Sequence, residues 1–183
     1  MLVTLDDGTE LTGDTLVIGL GIEPRISLAE EAGLTIDDEN QGVEVNEQLQ
    51  TSDNSIWSSG DMASYPDKIV RRQRIEHVDH ARISGELVGK NMAGGKEAYS
   101  HTPYFYSNVF SIAWKAIGKL DPELETIFDE RKNGKIVFYL EEDKVVGVLT
   151  WNVEVDLDDI RAVLADSPSD KESLVGLIEE SEE

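Results

Sequence analysis

Apolar and polar positions fall into two regimes, with short strand-like runs flanking one long stretch of helical spacing. Residues 2–5 and 14–20 predict two strands joined through Asp6-Asp7-Gly8, a hairpin that leads into a buried strand. Leu16, Val17 and Ile18 are continuously apolar, the pattern of a strand covered on both faces. Gly19, Gly21 and Pro24 end that run. Ser27 is placed to cap a short helix through Leu28, Ala29 and Ala32 that stops at Gly33. Residues 43–46 alternate as a short strand, and residues 55–59 predict another that runs into Gly60-Asp61. A strand ending there would set a carboxylate at the carboxyl edge of a sheet, where open α/β sheets bind ligands.

From 75 to 92 the apolar positions Ile75, Val78, Ala81, Leu87, Val88 and Met92 approximate helical spacing. Ser84, Gly85 and Gly89 are small enough to admit a close neighbour, and Gly94-Gly95 closes the helix. The remainder changes character. Residues 99–110 are aromatic-rich, and residues 135–140 and 145–151 predict an antiparallel hairpin around Glu142-Asp143. Residues 156–165 and 171–178 predict two helices separated at Pro168, and the tail 179–183 has no apolar support and is expected to fray. There is no internal repeat, and the change near residue 98 predicts a domain boundary.

Charge narrows the partners. The 183 residues carry 38 acidic and 16 basic side chains, a formal charge of −22, which disfavours general attraction to nucleic acid or anionic lipid. The acidity is uneven: residues 1–62 and 120–183 each net −13, whereas residues 63–119 net +4. That middle holds Arg71, Arg72, Arg74, Arg82 and Lys90, a place for an anion or a solvated basic face. No cysteine is present, so disulfides, thiolate metal sites and thiol redox chemistry are excluded for these residues. No run approaches the roughly 20 apolar residues of a membrane span, and the first residues lack the basic and apolar regions of a secretory signal. A soluble, cytoplasmic polypeptide is expected.

Candidate chemistry is sparse. Gly19-Leu20-Gly21 supplies two glycines of a dinucleotide fingerprint, but Pro24 occupies the third position, so alone it reads as a tight loop. Glu76, His77, Asp79 and His80 form the densest polar cluster, at a helix start. His77 and His80 share a face, yet no third metal ligand is identifiable. The acids favour the helix dipole, and the helix start, preceded by arginines, alternatively faces an anionic group. No serine sits in a nucleophile-elbow setting.

Together these residues resemble the carboxyl-terminal half of the pyridine-nucleotide-dependent FAD oxidoreductases, with the greatest likeness to the apoptosis-inducing-factor-like branch related to ferredoxin and rubredoxin reductases. The likeness runs from about Val3 to Leu164 through LDDGTELTGDTLVIGLGIEPRISLAEEAGL, NEQLQTSDNSIWSSGD, RRQRIEHVDHARISGELVGKNMAGG, HTPYFYSNVF and KIVFYLEEDKVVGVLTWN, in that order. It implies FAD and NAD(P)H as cofactors, with hydride passed to FAD and electrons handed on to an acceptor. It implies that Gly21 and Glu23 lie near the nicotinamide, and that Gly60 and Asp61 meet the FAD ribityl and phosphate region. Glu76 and His77 would flank nicotinamide and flavin, with His77 and Val78 near the flavin pyrimidine edge, where helix amides stabilise negative charge. No residue is implied as a proton-transfer catalyst.

Two departures from the family pattern matter. Where the family often carries Phe-Trp-Ser-Asp against the flavin, this chain has Phe105-Tyr106-Ser107-Asn108, leaving Tyr106 to stack with less area. The amino-terminal FAD fingerprint and the Gly-rich nucleotide-binding unit are not in the sequence, and a complete three-domain enzyme takes roughly 300–450 residues. The His-Pro-Thr motif of the disulfide-reductase branch is not matched by His101-Thr102-Pro103. The expected fold is therefore α/β plus α+β: an incomplete Rossmann-like FAD/NAD(P)-binding portion, then an antiparallel sheet domain with helices. Residues 1–24 would close an NAD(P)-binding domain, 25–98 return to an FAD-binding domain, and 99–183 form an interface domain, the part best suited to fold alone. Such a chain would be inactive without an amino-terminal portion or partner subunit. The alternative is a non-catalytic module for homodimerisation or partner docking, including docking of an electron acceptor protein.

Overall fold

A computed structural model of the chain describes residues 1–168 and 170–181. The first hairpin is present, with β1 (Leu2–Thr4) antiparallel to β2 (Glu10–Thr12) in the register Val3↔Leu11. The buried strand expected at 14–20 is not. That segment is irregular, and Val17 and Leu20 are each 90% exposed. An apolar run becomes a two-sided strand only when strands flank it and layers cover it, and nothing among the described residues does so here.

A mixed four-stranded sheet follows, in the order β3 (Ile36–Asp37), β4 (Gly42–Glu44), β5 (Ala63–Asp67) and β6 (Arg71–Gln73). Only β4 and β5 are parallel, pairing Val43 with Ala63. The strand expected at 55–59 is reduced to a single bridge, Gln50↔Trp57. Gly60–Met62 is instead a 3-10 turn that precedes β5, so Gly60-Asp61 stands at the amino end of a strand rather than at its carboxyl end. Helix α1 (Ser27–Glu31) forms, but its cap position is Ile26 and Ser27 makes no capping bond.

Helix α2 (Val78–Met92) covers the core of this part, which contains Val45, Leu49, Ala63, Tyr65 and Tyr99. The face it buries matches the predicted one in part, with Ile75, Leu87 and Val88 packed as expected. Val78 and Met92 are exposed, and His80, Ser84 and Asn91 are buried together with the packed Ile83, Leu87 and Val88. Ser84 and Asn91 are tolerated inside because each finds partners. Asn91 Nδ2 donates to the carbonyls of Gln48 and Glu97 at 3.1 and 2.9 Å, and Ser84 Oγ accepts from Gly60 N–H at 3.0 Å. Gly85 and Gly89, read as close-packing positions, face open space.

The carboxyl-terminal part is a five-stranded antiparallel sheet in the order β7 (Tyr104–Val109), β8 (Ile112–Gly118), β11 (Lys144–Trp151), β10 (Lys135–Glu141) and β9 (Glu125–Glu130). The predicted β10–β11 hairpin is present, and Glu142 and Asp143 both have positive φ, as its tight turn requires. Helix α3 (Leu157–Asp166) lays Ile160, Val163 and Leu164, the i, i+3, i+4 stripe, on Ile117, Phe138 and Val148 of the sheet. Asp156 caps it by accepting from Asp158 N–H at 2.9 Å.

The second predicted helix shrinks to a 3-10 turn, Lys171–Leu174. Beyond it the chain is held as a strap, with Gly176 N–H on Asp129 and the Arg131 guanidinium on the Ile178 carbonyl at 2.7 Å. Contrary to the fraying expected of the tail, Ser181 N–H still donates to Glu154 at 2.9 Å; Glu182 and Glu183 lie outside the described residues.

Candidate functional site

Three local pieces converge where α2 begins. The first is the Gly60–Met62 turn, whose Gly60 has φ of +64°, a left-handed conformation that costs glycine nothing and other residues more. Gly60 also packs on Ala81, one turn into α2. The second is the entry to the helix, Arg74 to His77. The third is β7, which brings aromatic side chains across.

Arg74 ties the first two together. Its Nε donates to the Asn40 carbonyl at 2.7 Å, and its Nη1 donates both to the Asp61 carbonyl at 3.1 Å and to Glu76 Oε1 at 2.7 Å. One guanidinium therefore sets the spacing between the Gly60-Asp61 turn and Glu76. Sequence reasoning placed Arg74 only in a generally basic stretch. Its contacts reach across 34 residues to Asn40, which no local pattern encodes.

His77 occupies the cap position of α2 in extended geometry, and no side chain caps the helix there. The first-turn amides are thus not taken by a capping side chain. The His77 ring stacks on Phe105, with centroids 4.6 Å apart and planes 18° apart, and Phe105 meets Trp114 edge-on at 5.6 Å. Burial pushes the His77 imidazole below its usual range, against the opposing pull of Glu76 and of the Asp61 and Asp79 carboxylates. Val78, the first helical residue, is exposed beside it. A helix start with uncapped amides, an exposed apolar residue and a half-buried neutral imidazole suits the polar edge of a planar ring system such as flavin.

Tyr106 is not part of this group. Along β7 the side chains alternate, so Phe105 faces His77 while Tyr104 and Tyr106 stack on each other at 5.9 Å on the opposite face. Sequence reasoning took the family position of the missing tryptophan and overlooked the phenylalanine before it; strand alternation was the signal available. Gly21 and Glu23 lie in the exposed segment before α1, and among the described residues no hydrogen bond or ion pair joins either to Asp61, Glu76 or His77. Gly21 has φ of +84°, consistent with the tight loop predicted from its sequence.

Beneath the turn runs a buried polar chain. His80 Nδ1 meets Tyr99 Oη at 2.8 Å, its ring stacks on Tyr65 at 4.4 Å, and its Nε2 is buried without a partner. Burial holds His80 down at about 4, outweighing the nearby Gly60 backbone that favours its proton. Burial likewise raises the Tyr65 and Tyr99 hydroxyls. Gln73 links Tyr65 Oη to Asp67 at 2.9 and 3.1 Å, and Asp67 accepts from Thr102 at 3.0 Å. Among the described residues no group of three or more His, Asp or Glu side chains is arranged to hold a metal, and no helix is long and apolar enough to cross a membrane.

Comparison with known proteins shows what the chain is similar to. Residues 1–85 match the family described as pyridine nucleotide-disulphide oxidoreductase. Peroxisomal monodehydroascorbate reductase 4 of Arabidopsis thaliana is 38% identical over 151 residues, 79% of this chain and 30% of that protein. The mitochondrial apoptosis-inducing factor 1 of Dictyostelium discoideum is 32% identical over 179 residues, 90% of this chain and 34% of its own length. Among solved structures, a putidaredoxin reductase in covalent complex with putidaredoxin superposes with a TM-score of 0.80 at 30% identity, over 96% of this chain and 42% of that one. The chain thus spans about a third of the length of these two curated relatives. With motifs, fold and relatives in agreement, residues 1–85 carry the pyridine nucleotide-disulphide oxidoreductase family, and the chain as a whole is similar to that family's apoptosis-inducing-factor and ferredoxin-reductase-like members.

Proposed function

We propose that this chain supplies the carboxyl-terminal part of an FAD-dependent NAD(P)H oxidoreductase, acting together with an amino-terminal FAD- and nucleotide-binding portion. The observation that carries the reading is the convergence of the Gly60-Asp61 turn, Glu76 and His77 at the uncapped start of α2, clamped by Arg74. FAD, when bound, supplies the redox chemistry, taking a hydride from NAD(P)H and passing electrons on. The chain's own work is positioning. The first-turn amides of α2 and the adjacent Val78 meet the flavin pyrimidine edge and favour negative charge there. His77, kept neutral near pH 7 by burial, donates or accepts one hydrogen bond without adding charge.

Glu76 and His77 flank the nicotinamide, with Gly21 and Glu23 in a loop that closes over it, and Asp61 faces the ribityl and phosphate region. Phe105, rather than Tyr106, is the aromatic that backs His77. The exposed apolar run from Leu16 to Ile22 supports a two-part arrangement, since it is surface that an adjoining sheet would cover. The acceptor is a protein or small oxidant; the structural relative is itself in complex with a protein, putidaredoxin. Titrating the purified chain with FAD tests the two-part claim: absorbance and fluorescence should report weak binding or none, and tight stoichiometric flavin binding by this chain alone would contradict it.

A further inference from the structure

We infer that Asp79 and His101 are positioning residues that hold Phe105 against His77, and so fix the orientation of the imidazole at the site. The functional weight of this pair rests on the reading of His77 given above. The connection is short and continuous. Asp79 lies in the first turn of α2, two residues after His77. Its Oδ2 meets His101 Nε2 at 2.5 Å and accepts from Tyr104 N–H at 3.2 Å. Tyr104 opens β7, and the next residue, Phe105, stacks on His77 at 4.6 Å.

The carboxylate thus grips the backbone of β7 one residue before the ring, and the histidine from the connecting segment grips the carboxylate. His101 is itself steadied by Tyr99 edge-on at 6.4 Å, and its neighbour Thr102 is held by Asp67 at 3.0 Å and by Arg161 on its carbonyl at 2.8 Å. A stacked pair with parallel planes needs its two backbones fixed in distance and in rotation, and a single van der Waals contact fixes neither. Asp79 supplies that restraint because it belongs to the same helical turn as His77 and bonds to the strand that carries Phe105. A charge-assisted bond from His101 to the same Oδ2 keeps the carboxylate from turning away.

The test uses the full chain without flavin and reads the His77 imidazole protons by NMR. In the wild type the Phe105 ring current displaces them upfield, and Phe105→Leu sets the zero. Asp79→Ala should lose most of that displacement, while amides around Val148 and Phe138 in the distant sheet stay where they are. Asp79→Asn, which keeps an acceptor for Tyr104 N–H, should retain more than half. Unchanged displacement in a folded Asp79→Ala chain would overturn the inference. Where Asp79→Ala does not fold, His101 decides: His101→Ala should lose displacement and His101→Gln, which keeps a donor, should restore it. Equal displacement in those two variants overturns the inference as well. Because no flavin is present, failure of the cofactor reading leaves this outcome intact, and the converse also holds.

Discussion

Replacing Gly147 with alanine should cost the carboxyl-terminal sheet on the order of 3 kcal/mol or more, enough to lower the melting temperature of a chain this size by roughly 6–12 °C. Gly147 sits in β11 directly opposite Gly118 of β8. A Cβ at 147 would lie 2.0 Å from the Lys119 carbonyl oxygen, and one at 118 would lie 2.3 Å from the Val146 oxygen. These are backbone atoms of β11 and of the residue that directly follows β8, and Lys119 N–H donates to Val146 at 2.8 Å across the same gap. A methyl group there separates the strands, so the loss comprises ladder hydrogen bonds as well as packing. Gly85→Ala is the control: nothing lies within 4 Å of its added Cβ, and in a helix interior the change should be neutral or stabilising. Thermal unfolding followed by near-ultraviolet circular dichroism compares the two. A Gly147→Ala chain that melts with the wild type would mean that the close approach of β8 and β11 is wrong.

Acid should loosen the first part of the molecule through His80. An imidazole free in the unfolded chain takes a proton at about 6.5, whereas the folded one waits until about 4. Above pH 6.5 both states are neutral there and His80 adds no pH dependence. Between 6.5 and about 4 the unfolded state binds a proton that the native state refuses, so stability falls with decreasing pH, by ~3 kcal/mol once the interval is crossed. His77, displaced downward by burial, adds in the same direction. Denaturant unfolding at pH 7 and pH 5 should therefore show a smaller difference in His80→Asn than in wild type, by about 2 kcal/mol. Identical pH slopes in the two proteins would show that His80 is not held neutral.

The sequence carried the carboxyl-terminal sheet better than the amino-terminal part, for a physical reason. The β10–β11 hairpin and α3 are decided by local pattern: alternation, a two-residue turn and an i, i+3, i+4 stripe. Residues 14–20 have an equally clear strand pattern, but a strand is completed by its neighbours, and among the described residues none pairs with this segment. The Gly60-Asp61 motif was legible as residues and misread as geometry, because β5 begins after it rather than ending before it.

Glu76, His77 and Asp61 were named from motif resemblance, and in the structure Arg74 joins the Asp61 carbonyl to Glu76, next to His77. Arg74, Asp79 and Phe105 were not singled out as organisers, since their partners lie 34, 22 and 28 residues away in sequence and only the tertiary fold brings them near. Tyr106 is the reverse case. The motif pointed to it, and the two-residue period of β7 turns it to the other face.

The most direct test of the central claim joins this chain to an amino-terminal FAD- and NAD-binding portion taken from the putidaredoxin reductase that it matches, purifies the fusion and records its visible spectrum. The proposed function predicts stoichiometric flavin that survives gel filtration and is bleached by NADH, with His77→Ala altering the bleaching rate more than the flavin content. A fusion that is folded by circular dichroism yet elutes free of flavin would contradict it.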